Sequence, residues 1–198
     1  MVKTDISSNL FKQTTKVSRA QREQLNNSRA FTLWFTGLSS SGKSTIAAEL
    51  EARLFAAGYR TYILDGDNTR LGVNSDLSFS KKDRAENIRR VAQISKLLND
   101  AGVIVIASFI SPFKKDRHLA REIVGTEKFI EVFIDSSLEV CKKRDPKGLY
   151  KLALLGKIKD FTGIGSPYEA PAYPDIHLHT DASSPDGRMA RKATATPG

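Results

Sequence analysis

The sequence predicts an α/β fold, a doubly wound parallel sheet flanked by helices and closed by a loop-rich lid, on three observations. Short strand-like apolar runs alternate with helical patterns along most of the chain. The third run is apolar almost throughout, as a strand covered on both faces must be. A turn rich in glycine and serine stands where the first run passes into a helix.

Residues 1–30 are polar with a weak helical pattern at 17–25, and they read as an arm rather than a domain. FTLWFTG (31–37), aromatic and β-branched, is a strand running straight into the turn. Residues 43–57 form a helix with Ile46, Leu50 and Leu54 on one side and Gly58 at the C-cap. YRTYILDGDN (59–68) holds a second strand, 81–101 a helix capped by Ser80, and VIVIASFI (103–110) the third strand. Residues 117–124 look helical, FIEVFID (129–135) is a fourth strand, and 137–144 is the helix behind it. From 145 to 174 short segments are broken by glycine and proline but keep apolar anchors, the pattern of a lid. A last strand is expected at 176–178, and 181–198 has no periodicity and is expected to be disordered. This makes one domain, over 31–180.

Composition narrows the class. With 198 residues, 40% hydrophobic and 27% charged, the chain has the make-up of an ordinary globular protein. The longest mainly apolar run, 103–110, is far short of the roughly 20 residues needed to cross a bilayer, so no membrane partner is expected. The start, MVKTDISSNLFKQTTK, lacks the apolar stretch of a secretory signal, and a cytoplasmic location is expected. Cys141 is the single cysteine, which excludes an internal disulfide and a paired-cysteine zinc site. A net charge of +9 suits nucleic acid or a polyanionic small substrate; with no ribonucleoprotein or zinc-finger motif present, nucleic acid is not expected.

Gly37-Leu38-Ser39-Ser40-Ser41-Gly42-Lys43-Ser44 fits G-x-x-x-x-G-K-[ST] in the strand-to-helix setting the motif requires, which specifies the fold as that of a P-loop NTPase. Glycine lets the backbone curl so that successive N–H groups face phosphate oxygens, and the helix beginning near Lys43 adds its positive end. Lys43 supplies charge to the β- and γ-phosphates, Ser44 is placed to hold Mg²⁺, and Thr45 completes the expected ATP-binding stretch. A chance glycine-serine turn is the plainer alternative, and the matching context argues against it. No N-K-x-D motif is present to read guanine, so ATP is expected as donor.

Phosphoryl transfer also needs a carboxylate near a neighbouring strand end, to hold Mg²⁺ or accept the acceptor's proton. Asp65 and Asp67 stand there, although D-G-D-N is also ordinary turn chemistry. Arg70, Arg84, Arg89 and Arg90 follow; they can face solvent, as charged helix faces often do, or converge on an anionic acceptor.

Five segments together resemble the adenylyl-sulfate kinase family: L-D-G-D-N-x-R (64–70), D-L-x-F-S-x-x-D-R-x-E-N-I-R-R (76–90), S-F-I-S-P (108–112), D-P-K-G-L-Y (145–150) and F-T-G-I-x-S-P-Y-E-A-P (161–171). The resemblance runs over about 17–178 and is more specific than the phosphate loop alone. It implies transfer of the ATP γ-phosphoryl group to the 3′-hydroxyl of adenosine 5′-phosphosulfate (APS), giving 3′-phosphoadenylyl sulfate and ADP, by a homodimer. It implies substrate contacts from Asp67, Asn68, Arg70, Phe79, Arg84, Asn87, Ile110, Ser111, Lys147 and Phe161. Phe79 and Phe161 would stack on adenine, their plainer use being core packing.

Among the residues expected to carry the chemistry are Lys43, Asp65, Asp67 and Ser111, with Ser44 and Asp65 on the metal. Ser111 matches a position described in the family as a phosphoserine intermediate. Direct in-line transfer needs only positioning, Mg²⁺ and a base, so Asp65 or Asp67 is favoured as base and Ser111 as a hydrogen-bonding group. Three positions depart from the family pattern: Ser40 and Ser78 replace small or glycine residues, and Asp160 replaces a lid glycine. Family members usually finish with a helix, whereas 183–198 is unpatterned. Two other readings stay open at this point, a P-loop kinase for another small hydroxyl compound and a non-catalytic nucleotide-binding module.

Overall fold

The computed structural model describes residues 11, 13 and 15–181. The expected disorder of 181–198 falls outside the described residues from 182 onward, as does most of the arm's first half. Strands β1 (Thr32–Thr36), β2 (Thr61–Asp65), β3 (Ile104–Ser108), β4 (Phe129–Asp135) and β5 (Ile176–His179) form one sheet in the order β2-β3-β1-β4-β5, and every pairing is parallel. Parallel neighbours need crossovers, and the helices supply them: α2 (Lys43–Ala56), α4 (Lys81–Asp100), α5 (Lys114–Val124) and α6 (Leu138–Arg144).

Both faces of the sheet are covered, which is why its central strands are mainly apolar. β1 and β3 are buried at every residue. On one face Trp34, Val105, Ala107 and Phe129 pack with Ile88, Val91 and Ala92 of α4 and Ala120 and Val124 of α5. On the other, Leu33, Phe35, Ile106, Val132 and Ile134 pack with Ala47 of α2, joined by the half-buried Ile46, Leu50 and Leu54. The apolar spacing of α2 is thus a contact stripe on the sheet.

Local signals fix the ends. α2 closes with Gly58 at φ 86°, where Tyr59 N–H donates to Leu54 O (3.0 Å) and Gly58 N–H to Phe55 O (2.9 Å), a Schellman ending. The Ser80 hydroxyl accepts from Asp83 N–H (3.1 Å) and caps α4 as expected.

Three elements differ from the sequence reading. D-G-D-N opens a short helix, α3 (Gly66–Leu71), because the Asp65 carboxylate caps it by accepting from Asp67 N–H (2.9 Å). Helix α5 begins at Lys114, ahead of the expected 117, on a first turn whose polar Lys114 and Lys115 hide the periodicity. The segment 145–174 contains α7 (Leu149–Leu154), bracketed by Gly148 and Gly156, both at positive φ, which read as loop.

The weak helical pattern at 17–25 is α1 (Arg19–Leu25), with Ser18 and Gln21 forming a reciprocal capping box. It buries no side chain and docks by polar contacts: Arg19 on Ala30 O (2.5 Å), Arg22 on Asp100 O (3.0 Å) and Asn26 on Gly102 O (2.9 Å).

Replacing Ser80 by Ala is expected to lower folding stability by about 1 kcal/mol, the usual loss for a serine N-cap. A shift of the urea midpoint without a change of slope is the result to look for.

Candidate active site

All five strands run the same way, so their C-terminal ends share one edge, and the loops that follow carry residues 37–42, 66–71, 109–113 and 136–137 to one place. The phosphate loop leaves β1 by passing hard against β4. A Cβ at Gly37 would lie 2.4 Å from Ile134 O and 2.9 Å from Ser41 Oγ, so no side chain fits. Gly42 (φ 101°) starts α2 in left-handed backbone, and Ser40 (φ 60°) takes the same region without glycine's freedom.

Side chains distant in sequence hold this loop. The Tyr150 hydroxyl donates to Ser39 O (3.1 Å) and the Thr180 hydroxyl to Ser41 O (2.9 Å). Arg144 in turn donates to Thr180 O. Sequence reasoning missed all three; the one visible hint is Tyr150 at the end of D-P-K-G-L-Y.

Lys43 is buried at the mouth of the loop, its ammonium donating to Gly37 O (3.0 Å) and Leu38 O (2.6 Å). Burial pulls its pKa down from 10.5 to about 8, against the attraction of Cys141 and Asp65. The exposed Ser44 donates from Oγ to Asp65 Oδ2 (3.0 Å), while Asp65 Oδ1 is engaged by Asp67 N–H. A hydroxyl and a carboxylate, both hard oxygens, therefore meet beside the phosphate loop, which is the donor type Mg²⁺ takes.

The residues expected around an acceptor fall into three groups. Asp67, exposed on α3, forms an ion pair with Lys147 from the α6–α7 connection, and that bond raises the Lys147 pKa. Asn68 is exposed beside it. Arg70 donates to Leu77 O and Ser78 O (both 3.0 Å) and lies 4.3 Å from the centre of the Phe79 ring. That ring is 68% exposed, too open for core packing. Arg84 on α4 donates to Phe79 O (2.9 Å), Asp160 O (2.8 Å) and the Thr162 hydroxyl (3.2 Å), joining α4 to the 160–162 segment. Phe161 is half-buried, edge-on to Tyr150 at 5.0 Å.

Other residues turn inward. Asn87 is buried and its amide oxygen accepts from Asn74 (2.9 Å). Ile110 is half-buried, its carbonyl accepting from Thr36 (2.8 Å). Ser111 is 2% exposed, with φ 38°, and its hydroxyl accepts from the Trp34 indole (3.2 Å). Its carbonyl accepts from Arg117 (2.7 Å), whose guanidinium also meets Glu131 at 2.7 Å. The Ser111 hydroxyl is thus occupied with the core.

Two of the departures from the family pattern have backbone consequences. Asp160 stands at φ 54° and Ser40 at φ 60°, where glycine is favoured; a non-glycine residue there costs roughly 1–2 kcal/mol. Ser78 avoids that region and ties itself to Asp83 through both its backbone N–H (3.1 Å) and its hydroxyl.

The Lys43 environment predicts a pH dependence. Its folded pKa lies below its unfolded value, so the folded chain lacks a proton that the unfolded chain holds between about pH 8 and 10.5; burial is most destabilising below pH 8 and that penalty fades as pH rises. A triphosphate restores the charged form, so binding above pH 8 takes up a proton. Calorimetry in buffers of different ionisation enthalpy is expected to show proton uptake at pH 9 and weakening affinity above pH 8, with neither in Lys43→Arg.

Known proteins resemble this chain over most of its length. The family model for adenylylsulphate kinase matches residues 29–179. The adenylyl-sulfate kinase of Clostridium acetobutylicum is 56% identical over 174 residues, covering 88% of this chain and 86% of that one. The bifunctional enzyme NodQ of Rhizobium tropici is 55% identical over 177 residues, and this chain spans only 28% of its length. An APS kinase from Mycobacterium tuberculosis, solved in complex with AMPPNP and APS, is 50% identical with TM-score 0.76, over 78% of this chain and 91% of that one. The chain therefore belongs to the adenylylsulphate kinase family.

Proposed function

We propose that the chain transfers the γ-phosphoryl group of ATP to the 3′-hydroxyl of adenosine 5′-phosphosulfate, giving 3′-phosphoadenylyl sulfate and ADP in sulfate activation. The observation that carries this is the position of Asp65, bonded at once to Ser44 of the donor loop and to the backbone of Asp67 on the acceptor side. Donor and acceptor groups thus meet within one hydrogen-bonded chain. The family membership supplies the substrate.

In this reading the phosphates displace the Gly37 and Leu38 carbonyls as partners of the Lys43 ammonium. Ser44 and Asp65 would hold Mg²⁺, which would supply charge neutralisation for the phosphates. Both Asp65 oxygens are then engaged, leaving Asp67 as the carboxylate that accepts the 3′-hydroxyl proton, with Lys147 orienting it. Arg70, Arg84 and Asn68 take the phosphosulfate and ribose, and Phe79 and Phe161 take adenine between their faces. Residues 145–174 act as the lid, with Arg84 as the hinge contact to 160–162, and exclude water from the transfer. In this reading the chain acts as a homodimer in the cytoplasm; among the described residues no helix is long and apolar enough to cross a membrane.

Transfer is direct, and Ser111 acts as a structural anchor whose hydroxyl serves Trp34. Ser111→Ala is expected to keep kcat within about tenfold of wild type, since positioning and charge rather than a nucleophile drive the step. A phosphoserine trapped at Ser111 in the wild type would contradict it.

Asp67→Asn is expected to lower kcat by about 10²–10⁴-fold with a smaller change in KM, the range for a general base. A change in KM alone, measured with Mg²⁺-ATP and adenosine 5′-phosphosulfate, would move Asp67 from chemistry to binding. Lys43→Ala is expected to abolish turnover in the same assay.

A further inference from the structure

The β4–β5 edge of the sheet carries a second cluster of reactive side chains, and the reaction uses none of them. Asp135 pairs in register with His179, and Phe133 with His177. The two-residue period of a strand places all four on one face. The contacts agree, since the His177 ring stacks on Phe133 at 4.9 Å and lies 4.1 Å from the His179 ring. Asp135 Oδ2 is 2.9 Å from His177 Nε2 and 3.2 Å from His179 Nδ1. One donor atom from each residue lies within 4.8 Å of the other two.

Two of those separations are near what a metal needs, and the third donor pair is close enough to share one ion. A tetrahedral ion with bonds of about 2.0–2.1 Å holds neighbouring donors about 3.3–3.4 Å apart. The set of two imidazoles and one carboxylate is also chemically distinct from the hydroxyl and carboxylate beside the phosphate loop. Imidazole suits zinc, copper, nickel and iron, whereas Mg²⁺ prefers oxygen alone. The cluster faces solvent, with His177 39%, His179 69% and Asp135 34% exposed at the side chain, so a water can complete the coordination. In the metal-free protein His177 Nε2 and Asp135 Oδ2 share a hydrogen bond, and His179 Nδ1 lies beside the same oxygen. On metal binding each neutral ring carries its proton on the other nitrogen and offers the freed lone pair to the ion.

We propose that Asp135, His177 and His179 form a binding site for a divalent transition-metal ion of the zinc class. The ion ties β5 to β4 at the point where the chain turns to hold the phosphate loop. Thr180 follows His179 directly, and its N–H and hydroxyl donate to Asp135 O (2.8 and 3.1 Å) while the same hydroxyl reaches Ser41 O (2.9 Å). The metal therefore braces the strand whose next residue positions the donor loop.

The test is a titration of the full chain with Co²⁺ under saturating Mg²⁺, read by visible d–d absorption, followed by displacement with Zn²⁺. One equivalent is expected to give a spectrum of low coordination number that Zn²⁺ removes. His177→Ala and His179→Ala are each expected to weaken binding by at least the 10–100-fold that loss of an outer-shell partner produces. His118→Ala, which removes the remaining histidine, leaves it unchanged. Thermal unfolding gives a second readout: Zn²⁺ raises the midpoint of wild type and of His118→Ala but not of the doubly substituted His177→Ala/His179→Ala chain. Equal Co²⁺ affinity in wild type and the double variant, or no saturable signal from wild type, overturns the site. Circular dichroism of the metal-free variants separates loss of ligands from loss of fold.

Discussion

The close approach of Gly37 to the Ile134 carbonyl is the constraint on which the rest of the site depends. With a backbone atom 2.4 Å from where a Cβ would sit, the chain leaving β1 can take only one course, and only with glycine. That course lays the loop across the end of β4 and delivers Lys43 to the head of α2. Because β1 and β4 are paired in parallel over five residues, the fit is set by the sheet itself. A rigid sheet edge thus fixes the curl of backbone N–H groups on which phosphate binding rests.

The loop is also held from above, by the segment that carries Lys147 and Phe161. Tyr150 belongs to the segment that supplies Lys147, and the same segment leads to Phe161 and the Arg84 contact. Tyr150 is buried and its hydroxyl fastens Ser39, while its ring meets Phe161 edge-on. Movement of the 145–174 segment is therefore felt by the phosphate loop through one side chain. On the other side Thr180 fastens Ser41, so the last strand takes part in shaping a loop more than a hundred residues away in sequence.

Much of this was legible in the sequence, for a physical reason. Phosphate groups accept few arrangements of backbone and cation, so Gly37, Gly42, Lys43 and Ser44 must stand at fixed spacing. Strands covered on both faces must be apolar, so β1, β3 and β4 show in composition. The short helices were harder. α3 reads as a turn because its cap, Asp65, is also turn chemistry, and α7 is hidden between two glycines. Side-chain pairings across the fold were not legible at all. Nothing in S-F-I-S-P says that the Ser111 hydroxyl belongs to Trp34, 77 residues earlier. The departures from glycine at Ser40 and Asp160 were visible as letters, but their left-handed backbone shows only in the fold.

Direct transfer requires that the two halves converge closely enough for the γ-phosphoryl group to pass from ATP straight to the acceptor hydroxyl. A single-turnover reaction with ATP radiolabelled at the γ-phosphate, quenched over time with adenosine 5′-phosphosulfate bound, follows the label. Label is expected in the 3′-phosphate of the product as fast as it leaves ATP, with none on protein at any time. Label that accumulates on protein first, or a complex that binds both substrates and never moves the label, would contradict it.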